Sequence, residues 1–86
     1  MNINDLIAII KKKLNEEIKI EQIDVQDKTF LHKNHQGFQA GKFHLKIIIN
    51  SNELKSLNKI NSNKKIYKVL EKEMREYIHS LQILIS

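Results

Sequence analysis

Residues 43–50 read Phe-His-Leu-Lys-Ile-Ile-Ile-Asn, and no other stretch of the chain constrains its fold so tightly. Phe43, Leu45, Ile47 and Ile49 alternate with His44, Lys46, Ile48 and Asn50, the two-residue period of a strand with one buried face. Such a strand needs partner strands beside it and an apolar layer over it. The flanking sequence offers both.

Leu6, Ile7, Ile10 and Leu14 recur at helical spacing. Asn4 is expected to cap this helix, and Asp5 suits the positive end of its dipole. Ile18 and Ile20 then share one face of an extended stretch, and Ile23 and Val25 share another. The change of phase predicts a bend or bulge near Glu21 and Gln22, with Asp27 ending the strand. Residues 28–41 contain both glycines, Gly37 and Gly41, and read as a long loop. Two strands joined by a loop without a helix predict an antiparallel pair.

Beyond residue 50, Leu54, Leu57 and Ile60 predict a short helical turn laid on the core. Ile66, Tyr67, Leu70, Met74, Tyr77 and Ile78 form the apolar stripe of a longer helix, with Ser62 or Asn63 as its cap. Leu81, Ile83 and Ile85 close the chain as a strand. The expected fold class is α+β in the order αββαβ, a three-stranded sheet with two main helices packed on one face. Its 86 residues suit one domain, 1–86, with a thin core. The final strand is expected beside the first, because a helix carries the chain back across the sheet.

Asp5 precedes the first apolar stretch and lysines follow it, the reverse of a signal peptide, and the run 6–10 is too short to span a bilayer. The expected location is cytoplasmic. The chain contains no cysteine, so disulfides and thiolate nucleophiles or ligands are excluded. It has no P-loop, no nucleophile elbow and no carboxylate pair spaced for acid–base work, so an enzyme is not expected.

Two sets of side chains remain. The net charge of +5 permits attraction to nucleic acid, and Lys64, Lys65 and Lys68 head the basic helix that would use it, with Lys55, Lys59, Lys72 and Arg75 nearby. Glu71, Glu73 and Glu76 interleave, so the alternative is a solvated face with Lys68–Glu71 and Lys72–Glu76 pairing. The second set is histidine. His32, His35 and His44 fall within thirteen residues around the glycine-bearing loop, where a hairpin would bring three imidazoles together as candidate metal ligands. The alternative is two solvated loop histidines and a His44 bonded to backbone. His79 is read apart from them, at the end of the long helix, with a core or capping duty.

Several strings, in order, resemble the BolA family across nearly the whole chain. Residues 23–32, Ile-Asp-Val-Gln-Asp-Lys-Thr-Phe-Leu-His, are similar to its first strand and Asp-x-Ser-x-x-His exit, with Thr29 for the serine. Lys42-Phe43-His44-Leu45 resembles its Thr-His-Phe strand opening. Ile66-Tyr67 with Leu70 and Glu73 resembles its long helix, and Ile78-His79-Ser80-Leu81 its Ile-His-Ala-Leu entry to the last strand. The resemblance implies a fold akin to the class II KH domain. It also implies an adaptor that binds a monothiol glutaredoxin and takes part in [2Fe–2S] cluster trafficking or iron regulation. The cluster would be shared with the glutaredoxin and glutathione, which supply sulfur, while this chain supplies histidine and holds no cofactor on its own. Some members are linked to DNA binding and transcription regulation, the alternative function for the basic helix region. The family's Arg-His-Arg triplet before the long helix corresponds here to Ser62-Asn63-Lys64. Asn63 thus stands at the position of an expected ligand histidine, which shifts ligation to His32, His35 or His44. The Gly-x-x-Gly clamp of nucleic-acid-binding KH domains is absent, since three residues separate Gly37 from Gly41.

Overall fold

The computed structural model describes residues 1–29 and 42–86, in the order α1 (Ile3–Glu17), β1 (Gln22–Asp27), β2 (Phe43–Asn50), α2 (Asn52–Lys55), α3 (Lys59–Val69), α4 (Glu71–Glu76) and β3 (Ile78–Ile85). This is the expected α+β order, with the long helix broken in two. Most of the expected loop, including His32, His35, Gly37 and Gly41, lies outside the described residues.

α1 buries Leu6, Ile10 and Leu14, its three innermost periodic positions. Its cap is Asn2 rather than Asn4: the Asn2 side chain accepts from the Asp5 N–H at 2.8 Å. Starting the helix two residues earlier keeps Asp5 in the first turn, where the dipole favours it. At the other end Ile18 closes the helix and packs into the core. The phase change expected as a bulge near Glu21 is therefore the joint between helix and strand.

β2 runs through the centre of the sheet. It pairs antiparallel with β1 (Val25 opposite Ile47) and parallel with β3 (Ile47 opposite Ile83). The order is β1-β2-β3, so the final strand lies beside the second, not the first. The crossover through α2, α3 and α4 returns the chain to the strand it has just left, the usual outcome for consecutive strands. This arrangement places the most apolar strand between two neighbours. Leu45, Ile47 and Ile49 face Leu6, Ile10 and Leu14 from α1, Ile66 from α3, and Leu70 in one continuous core.

The helical segment after β2 is shorter than its spacing suggests. Ser51 caps α2, accepting from the Leu54 N–H at 3.2 Å and donating to the Lys19 carbonyl at 2.7 Å. Of the three apolar residues there, only Leu54 is buried; Leu57 and Ile60 are exposed. α3 begins a turn earlier than the sequence suggests. Asn58 caps it, accepting from Asn61 N–H at 2.8 Å, and Ser62 and Asn63 sit inside the helix. Leu70, with φ −97° and ψ 18°, separates α3 from α4 while staying fully buried. No helix among the described residues is long and apolar enough to cross a membrane.

Candidate functional site

The site lies where β2 and β3 begin, and an irregular register builds it. Phe43 pairs with Ile78 but His44 pairs with Ser80, so one step along β2 matches two along β3. His79 is the extra residue, and a bulge of this kind re-aims the side chain it carries. Strand alternation alone would place His79 on the core side with Leu81. Instead its ring lies beside that of His44, with centroids 4.8 Å apart and planes tilted by 58°. His79 is exposed, whereas His44 behind it is only 6% exposed.

His44 is held through backbone and ring. The turn leaving β1 binds its main chain: the Lys28 N–H donates to the His44 carbonyl at 2.7 Å, and the His44 N–H donates to Thr29 Oγ1 at 3.1 Å. Thr29 is in turn fixed by Asp27, whose Oδ1 accepts from both its N–H and its hydroxyl. The Asp-x-Thr string is thus the clip that closes the end of β1 onto β2, a duty any hydroxyl residue at position 29 can perform. At the ring, His44 Nδ1 lies 2.7 Å from Ser80 Oγ.

Two adjacent imidazoles are too few to hold a metal. Among the described residues no group of three His, Cys, Asp or Glu side chains is suited to one. Of the two rings only that of His79 is exposed and suited to complete the shell of an iron–sulfur cluster whose thiolates another molecule brings, since imidazole can replace thiolate on iron; His44 Nε2 is buried and its Nδ1 faces Ser80.

The structure separates the other expected site residues from this place. Asn63 lines a groove of about 390 Å³ with Leu57, Lys59, Ile83 and Ile85, at the far end of β3. From His79 to Leu84 is five strand steps, about 16 Å. A histidine at position 63 would therefore not join His44 in one ligand set. The sequence reading missed His79 as a partner of His44; the signal was the Ile-His-Ser-Leu string, whose likeness to a strand entry holds for His79 too, since β3 begins at Ile78 and His79 is not at the helix end expected for it.

Lys64 and Lys68 are exposed on α3, one turn apart. Lys65 is engaged: its ammonium donates to Glu53 Oε2 at 2.7 Å, linking α3 to α2. That hydrogen bond, with the backbone N–H of Lys19, holds the Glu53 carboxyl below the usual carboxylate range. Lys65 and Lys68 also share a groove of about 560 Å³ with Lys13, Glu16 and Glu17 of α1, so the basic face is interrupted by carboxylates. Of the glutamates read as surface residues, Glu73 is buried, and its Oε2 accepts from Lys13 Nζ at 2.6 Å across the α1–α4 contact.

Comparison with known proteins adds three findings. The model of the family described as BolA-like protein matches residues 14–86. A protein of Haemophilus influenzae named DNA-binding transcriptional regulator BolA is 27% identical over 75 residues, covering 87% of this chain and 70% of that protein. Among solved structures, the BolA domain of SufE1 from Arabidopsis thaliana superposes with a TM-score of 0.78 at 22% identity, covering all of this chain and 93% of that one. BolA1 from the same plant gives 0.75 at 21% identity, covering 92% and 87%.

Proposed function

The chain belongs to the BolA-like protein family, and from that premise we propose that it is an adaptor: it binds a monothiol glutaredoxin and contributes imidazole to a [2Fe–2S] cluster passed on in cluster trafficking or iron regulation. The observation that carries this reading is the bulge that sets exposed His79 against buried His44. When bound, the cluster and glutathione supply the iron and sulfur that this cysteine-free chain lacks. The chain's own part is to present the exposed His79 imidazole against the buried His44 ring, with Thr29 and Asp27 fixing the strand that carries His44. No catalytic step is assigned to it.

Anaerobic titration into cluster-loaded monothiol glutaredoxin, followed by visible absorption and circular dichroism, tests this. The wild-type protein should give a saturable change at a one-to-one ratio. His79→Ala should abolish that change, and His44→Ala should weaken the complex by about tenfold or more. A double variant with unchanged spectrum and affinity overturns the ligand assignment. His32 and His35, which precede β2 on the same connection, are tested by the same substitutions as further ligands.

A second reading rests on the name of the Haemophilus relative. It makes the protein a DNA-binding regulator that uses the α3 lysines, of which Lys64 and Lys68 are exposed. Neutralising those two should lower the slope of log affinity against log salt by about 1.8, as expected for two phosphate contacts. Undetectable binding at physiological ionic strength removes this reading.

A further inference from the structure

We propose that the outer edge of β3 is a docking site for an acidic peptide segment of another protein, which joins the sheet as an extended strand and lays apolar side chains into the groove beside α3. This surface lies at the opposite end of β3 from the histidine pair and does not depend on the adaptor reading.

The backbone leaves the edge open. β3 is the last strand of the sheet and pairs only with β2 among the described residues. Ser86 turns both of its main-chain groups toward β2: its N–H donates to the Ile49 carbonyl at 2.9 Å, and its carbonyl accepts from the Ser51 N–H at 3.3 Å. Alternation along the strand then turns the N–H and C=O of Ile83 and Ile85 outward. Leu81 follows the same alternation, since its carbonyl accepts from the Tyr67 hydroxyl of α3 at 3.1 Å. Tyr67 thus occupies the edge at Leu81 and leaves Ile83 and Ile85 for a partner strand. Proteins protect edge strands with charge or proline, and the β3 sequence, Ile-His-Ser-Leu-Gln-Ile-Leu-Ile, has no Lys, Arg, Asp, Glu or Pro.

The groove beside this edge sets the chemistry of the added strand. Leu57, Ile83 and Ile85 line it, where alternate apolar side chains of an extended peptide fit. Asn63 lines it too, and its buried Oδ1 has no hydrogen-bond partner among the described residues. A buried acceptor in that state calls for a donor, and an extended peptide carries backbone N–H groups along its length. Lys55 and Lys59 are exposed at the groove, and no acidic residue lines it among the described residues. The groove between α1 and α3 is the contrast, with Glu16 and Glu17 beside its lysines. A carboxylate is therefore the complementary charge at the β3 edge. A second copy of the chain would offer a β3 without carboxylates and another pair of lysines.

The test is selection of a phage-displayed library of random peptides on the full chain at low salt, with the enriched peptides then made synthetically. They should carry Asp or Glu beside alternating apolar residues. Bound peptide should slow amide exchange at Ile83 and Ile85, and leave Gln82 and Leu84, whose N–H groups face β2, unchanged. The double variant Lys55→Gln, Lys59→Gln should weaken binding about fivefold and flatten its salt dependence. Both lysines are exposed, so the variant should unfold at the wild-type urea concentration. No enriched peptide, or binding that leaves exchange at Ile83 and Ile85 unaltered, overturns the proposal. Binding that ignores both salt and the lysine variant overturns it as well, because the partner is then not acidic. Slow exchange at Ile83 and Ile85 without peptide, together with a doubled molar mass, would assign the edge to a second copy instead.

Discussion

Ile47→Ala is expected to lower the free energy of unfolding by about 3–4 kcal/mol, the cost of deleting a fully buried aliphatic side chain and leaving a cavity. Ile47 sits at the middle of the central strand, has no exposed surface, and belongs to the cluster that joins α1, α3 and the sheet. A chain of this length has a total stability of about 4–13 kcal/mol, so this one change can remove a third or more of it. Urea unfolding followed by circular dichroism should show a lower midpoint with an unchanged slope. Ile48→Ala provides the contrast. Ile48 lies opposite Asp24 of β1, on the face of the sheet that the helices do not cover, and is only partly buried. Its loss should cost about 1 kcal/mol or less, since little apolar area leaves the core. Equal effects at the two positions would mean that something covers the second face as well.

Lys13→Met is expected to cost about 2–3 kcal/mol, the lower part of the range for leaving a buried charge without its partner. Glu73 is 3% exposed, and its Oε1 has no hydrogen-bond partner among the described residues, so Lys13 at 2.6 Å is what compensates this carboxylate. The lysine itself keeps 38% of its side-chain surface in water, which is why the upper end of the range does not apply. The double variant Lys13→Met, Glu73→Leu should recover most of the loss, because an apolar pair of similar size needs no compensation in that place. A double variant no more stable than Lys13→Met would show that Glu73 acts through packing rather than charge. This pair also clamps α4 to α1, and α4 leads directly into Ile78 and the bulge. A protein that keeps its helices but loses this clamp is therefore a sensitive place to look for altered contact between His44 and His79.

How far the sequence could be read differs between fold and site. Period-two alternation from Phe43 and helical stripes from Leu6 and Ile66 were enough to order the elements, because each pattern has to bury one face. Caps were harder to place, since several Asn and Ser residues in a row can each serve; Asn2 and Asn58 serve here, in place of the residues expected. The lysines looked alike in sequence and differ in space. Lys65 pairs with Glu53 and Lys13 with Glu73, partners 12 and 60 residues away that no local pattern reveals.

The sequence by itself determined the α+β class, the two amphipathic layers and the family, because those follow from local periodicity and from strings short enough to read directly. Tertiary structure alone decided that β3 lies beside β2, and that one extra residue in that pairing turns His79 to the side of His44. Register is a relation between strands far apart in the chain, and a one-residue shift reverses the face of every side chain beyond it. The histidine pair at the centre of the proposed function exists only because of that shift.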